Sequence, residues 1–133
     1  MKSVYAAVLT PIPDSVGYAA RVPDVNGCIT TGNDINDTLE NIKDALAACL
    51  CTLEDYDRPI PAPSAPESIQ CEAGSILALV DIDTLKYREE TDTKSVRKNV
   101  SMPAWLLNMA DKRGVNCSQV LQEALKKQFG FIQ

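Results

Sequence analysis

The sequence predicts an α+β protein of two modules. A β-β-β-α-β domain spans residues 1–83 and a β-α-α module spans residues 94–133, with a linker at 84–93. Three observations carry this reading. Short apolar runs bounded by Pro and Gly mark strands, whereas the stretch from residue 35 places apolar residues at helical spacing. The proline-rich RPIPAPSAP (residues 58–66) stops that helix and leads the chain back toward a fourth strand. Third, the charge changes sign. Residues 94–133 hold seven basic and two acidic side chains, a balance of +5, against six basic and sixteen acidic before them, a balance of −10. The net charge of −5 thus conceals two surfaces, a basic one suited to a polyanion and an acidic one suited to a basic protein.

Taken in order, VYAAVL (4–9) is rich in β-formers and closed by Pro11 and Pro13. PIPDSVG is a loop by composition. Tyr18 to Val22 forms the next strand, with Tyr18, Ala20 and Val22 sharing a face. Pro23 to Gly27 turns the chain into a third strand, Cys28 to Thr31, and the two hairpin connections imply an antiparallel meander. Asp34 is a good helix N-cap, with Asp37 in the first turn. Ile35, Leu39, Ile42, Leu46, Cys49 and Leu53 then recur three or four apart, a stripe expected to lie on the sheet. The proline segment reads as a stiff crossover, with an SH3-ligand reading also open. SILALVDID (75–83) is almost wholly apolar, as expected of a strand buried on both faces, and the polar TLKYREETDT (84–93) is read as the linker.

Several function classes are excluded early. The chain has no histidine, which removes His-based acid–base catalysis and the commonest zinc ligand. Its five cysteines are odd in number, irregularly spaced and without a CxxC, so reduced thiols acting as small hydrophobes are expected rather than a metal site. No cofactor is implied. No run approaches the ~18 apolar residues of a membrane span, and the N-terminal run is too short for a signal peptide, so a cytoplasmic location is expected.

Tyr18, Pro23-Asp24, Gly27-Cys28, Thr30 and Gly32, the Asn41 and Ala45-Leu46 positions of the helix, and the segment PIPAPS (59–64) together resemble the HicB antitoxin family. The pattern PDxxGCxTxG, then a helix, then PIPxPS covers roughly residues 4–82 and is specific as a set. The resemblance implies a partial RNase H-like fold without nuclease activity. The residues agree independently: nuclease chemistry of that kind needs several carboxylates converging on two metals, and VYAAVL contains none. It also implies a partner, a small basic RNA-cleaving toxin of the HicA type. Tyr18 and Asp24 are candidate toxin contacts, each equally open to a structural role.

In the basic module, residues 94–102 alternate as a strand, with Val96, Val100 and Met102 on one side and Arg97, Asn99 and Ser101 on the other. Pro103 opens a helix that Gly114 closes. Asn116 caps a second helix, with Gln119 placed to complete a capping box. A strand and two short helices cannot bury their own apolar surface, so pairing with a second chain is expected. This order is similar to the ribbon-helix-helix fold, whose two-stranded ribbon reads the major groove. Arg97, Asn99 and Ser101 are then the base-contacting candidates. The resemblance implies a phosphate at the second helix's N-terminus, held by Asn116, Cys117 and Ser118, with Lys94 and Lys98 adding attraction to the backbone. Lys98 departs from the pattern, standing where an apolar inward residue is usual. It either snorkels at the ribbon edge or marks a strand that starts at Asn99, with Arg97 then outside the ribbon.

The expected function is therefore an antitoxin that masks its toxin and represses its own operon as a homodimer, or a higher oligomer, on double-stranded operator DNA. The competing expectation is a stand-alone ribbon-helix-helix regulator whose front domain senses a small ligand.

Overall fold

A computed structural model describes residues 1–133. The chain divides into two compact units, Met1–Thr91 and Asp92–Gln133.

In the first unit, β1 (Lys2–Pro11), β2 (Tyr18–Arg21), β3 (Ile29–Gly32) and β4 (Ile76–Asp83) form one sheet in the order β3-β2-β1-β4. Every neighbouring pair is antiparallel. The turn between β2 and β3 is held by Val22 N–H to Cys28 O at 3.0 Å, and Gly27 adopts φ +80° there, a conformation costly for any residue with a Cβ. Val22 leaves the ladder but stays in the core, 2% exposed.

The helix α1 (Ile35–Asp55) begins where the sequence predicts it. The Asp34 carboxylate accepts the N–H of Asp37 at 2.7 Å. Its buried face is rotated from the expected stripe: Ile42, Leu46 and Leu50 are fully buried, Leu39, Cys49 and Leu53 pack at the margins, and Ile35 is exposed. Thr38 is buried as well, its hydroxyl satisfied by the Asp34 carbonyl at 2.6 Å. Across from this face stand Tyr5, Ala7 and Leu9 of β1, Ala20 of β2, and Val80 and Ile82 of β4. The core is thus one sheet face against one helix.

Two expectations are corrected. β4 is not buried on both faces. It is an edge strand, and Ile76, Leu77 and Leu79 are exposed. A continuous apolar run does not distinguish a central strand from an edge strand with one open face. Residues 84–91, expected as linker, form the helix α2 (Thr84–Thr91) within the first unit. Asp83 caps it, accepting from Leu85 N–H at 3.1 Å, and Thr84 is buried, its N–H donating to Met1 O at 2.9 Å. Arg88 then pairs with Glu54 at 3.2 Å and Asp55 at 3.0 Å on α1. The polar composition that suggests a linker is what anchors the helix.

The second unit contains α3 (Ala104–Lys112) and α4 (Cys117–Gln128). Gly114, at φ +65°, ends the first, and Asn116 caps the second by accepting Gln119 N–H at 3.1 Å. The reciprocal half of the capping box is not made, because the Gln119 carboxamide turns to Glu123 at 3.4 Å. Residues 94–102 form no ladder within the chain. A strand needs a neighbour to take its backbone hydrogen bonds, and one copy supplies none.

Candidate functional sites

No residue from Asp92 to Gln133 is buried. Trp105, Leu106, Leu107 and Met109 of α3, Val120, Leu121 and Leu125 of α4, and Phe129 all remain exposed, as do Val96 and Val100 in the segment before α3. This much uncovered apolar surface on one small unit is the mark of an interface.

Arg97, Asn99 and Ser101 lie exposed in the segment that precedes α3, with Lys94 and Lys98 beside them. At the start of α4, Asn116 Oδ1 takes the third amide and Asn116 O accepts Val120 N–H at 3.0 Å, so the Cys117 and Ser118 amides are the ones directed outward beyond the helix end. The Ser118 hydroxyl is engaged with Gln122 at 3.2 Å. The structure therefore brings Asn116, Cys117 and Ser118 together and keeps Arg97, Asn99 and Ser101 on one separate segment.

In the first unit, Asp24 is committed locally. Its carboxylate accepts the Ser64 N–H at 2.8 Å and the Ser64 hydroxyl at 2.5 Å. Tyr18 is half-buried against the core. Nearby, the Tyr5 hydroxyl donates to Pro61 O at 2.6 Å, and burial, aided by the Asp24 carboxylate, pushes its pKa up. Tyr5 and Ser64 are structural partners that sequence reasoning missed, since nothing local marks a contact across forty or more residues.

The remaining carboxylates of the sheet end are engaged too. Asp81 pairs with Lys43 at 3.4 Å, and Asp83, besides capping α2, sits 3.9 Å from Lys2. No group of three or more His, Cys, Asp or Glu is arranged to hold a metal ion. No helix is long and apolar enough to cross a membrane.

A family model described as the HicB-like antitoxin of bacterial toxin–antitoxin systems matches residues 5–125. An uncharacterised 14.9 kDa protein from the rep–hol intergenic region of Haemophilus phage HP1 is 28% identical over 99 residues, covering 72% of this chain and 71% of that protein. Among solved structures, a chain of a toxin–antitoxin complex from Streptococcus pneumoniae matches with TM-score 0.61 at 20% identity, covering 96% of this chain and 99% of that one. The Burkholderia pseudomallei antitoxin HicB matches with TM-score 0.56 at 24% identity, covering 98% and 99%. These structural likenesses show the fold, and the family match shows the rest: the chain belongs to the HicB-like antitoxins of bacterial toxin–antitoxin systems.

Proposed function

We propose that the two units divide the work of an antitoxin: the first binds and masks a basic, RNA-cleaving HicA-type toxin, and the second, paired with a second copy, binds operator DNA. The observation that carries the division is the charge reversal, −10 before residue 94 and +5 after it. A toxin that binds RNA presents positive surface, and the acidic unit complements it.

For the second unit we read a ribbon-helix-helix. Two copies would pair residues 94–102 antiparallel and bury the apolar faces of α3 and α4 that one copy leaves open. Arg97, Asn99 and Ser101 would then face the groove, and the outward amides at Cys117 and Ser118 would take a phosphate. The first unit is read as a partial RNase H-like domain whose role is binding rather than catalysis. The ligand-sensing alternative gains nothing from the family match, which runs through both units.

The test is co-expression with the protein encoded by the adjacent gene. A stable complex, with operator binding by the same chain, supports the reading. Purification without such a partner, together with a thermal shift on adding a small ligand, would sink it.

A further inference from the structure

The two edges of the sheet are built differently. β3 is four residues long, ends in Gly32, and its Thr31 carbonyl accepts from the Asn41 carboxamide at 2.9 Å. Short, covered edges resist pairing with other chains. β4 has neither protection. It runs eight residues without Pro, Lys or Arg and is laddered to β1 alone. Its outer N–H and C=O groups bond to no other backbone. Because Ala78, Val80 and Ile82 face the core, Leu77 and Leu79 stand on the opposite face, 37% and 61% exposed.

Beside the C-terminal half of this strand lies a groove of about 340 Å³ between α1, α2 and β4. No β1 residue lines it, so it opens on the outer side of β4. Five carboxylates (Glu40, Asp44, Asp81, Asp83, Glu90) outnumber the two lysines there, Lys43 and Lys86.

We propose that an extended strand of the basic toxin adds to the outer edge of β4. Side chains of an added strand alternate between faces. One set lies beside Leu77 and Leu79 and is apolar. The other set falls on the α1 side, where Glu40, Asp44 and Glu90 line the groove and Asp81 reaches round the strand edge to Lys43 at 3.4 Å, and carries Lys or Arg. The main-chain hydrogen bonds supply affinity, and the groove selects the charge. This rests on the reading that the partner is a basic toxin. A second copy of β4 would satisfy the edge but not the groove, since β4 contains no basic residue. Like charge on two acidic units also opposes that pairing.

The experiment uses the full chain and the toxin encoded by the adjacent gene. Hydrogen exchange of the wild-type complex is expected to show slowed amides within residues 76–83. Leu79→Lys is expected to weaken toxin binding at least about tenfold, because a solvated charge replaces the apolar surface that the strand's apolar side chains would cover. Asp81→Lys and Glu40→Lys, both at exposed positions, test the groove without relying on Leu79→Lys to fold, and the same loss is expected. Unchanged affinity in all three variants, or unprotected β4 amides in a complex that still forms, overturns this inference and leaves the antitoxin reading standing. Failure of the wild-type chain to bind the toxin overturns that reading, and this inference with it. Self-association through β4, seen without toxin and abolished by Leu79→Lys, assigns the edge to a second copy and overturns the proposal.

Discussion

The carboxylate of Asp24 clasps Ser64 through both its backbone N–H and its hydroxyl, at 2.8 and 2.5 Å, joining two segments forty residues apart. The turn Pro23–Gly27 and the proline connector are therefore one structure. Tyr5 adds a second tie by donating from the core to Pro61. A stiff segment that skirts the helix end is fixed to the sheet by two hydrogen-bonding side chains, and the chain then enters β4 in register.

Asp24→Ala and Ser64→Ala are each expected to lower stability by about 1 kcal/mol, the value of an ordinary hydrogen bond, because solvent at this exposed pair screens the gain from its charge. The double variant loses less than the sum of the two, since both remove the same clasp. Urea denaturation of the four proteins measures this. Strictly additive losses would mean the pair is not coupled.

Gly32 is needed for its missing side chain. A Cβ there would overlap the backbone and hydroxyl of Thr38 in the first turn of α1. Gly32→Ala is expected to cost about 1–3 kcal/mol, as overpacking at a rigid site does. The thermal midpoint reports it. An unchanged midpoint would show that the corner between β3 and α1 yields.

Burial, with Cys49 as a neighbour and hydrogen-bond partner, pushes the Cys28 thiol from the usual 9.0 up to about 12. The folded state therefore holds this proton more tightly than the unfolded one. Its contribution is fully present below pH 9 and falls away between pH 9 and 12. Urea unfolding at stepped alkaline pH is expected to show this decline, reduced in Cys28→Ala. At pH 8 a thiol reagent should label exposed Cys71 first and buried Cys28 only on unfolding. Rapid labelling of Cys28 in the folded chain would contradict the assignment.

On DNA, Arg97→Ala and Asn99→Ala are each expected to cost about 1–3 kcal/mol of operator affinity while toxin binding is retained. Lys94→Ala should weaken all sequences alike and reduce the salt slope by about one. Gel-shift titrations at several salt concentrations separate these effects. If Arg97→Ala loses only the uniform component, the ribbon begins at Asn99. If toxin binding falls together with operator binding, the two units are not independent.

What the sequence determined by itself rests on short-range contacts. Asp34 and Asn116 cap their helices by accepting an amide three residues on, and Gly114 ends α3 at positive φ. Each signal lies within one helical turn of its effect. The helical spacing from residue 35 and the hairpins of the meander are local in the same way. The motif set PDxxGCxTxG and PIPxPS likewise marks the antitoxin family in the sequence alone.

The tertiary structure decided whatever depends on distant residues. Arg88 turns a polar stretch into α2 only because Glu54 and Asp55 lie across from it. Asp24, a candidate contact in the sequence, is engaged by Ser64. The face of α1 that is buried shifted toward Leu50 because the sheet, not the periodicity, sets which side is covered. SILALVDID reads as apolar whether one face or two is buried, and only the strand order places it at an edge with Leu77 and Leu79 uncovered. Hydropathy records what a side chain prefers to touch, whereas the fold decides what is there to be touched.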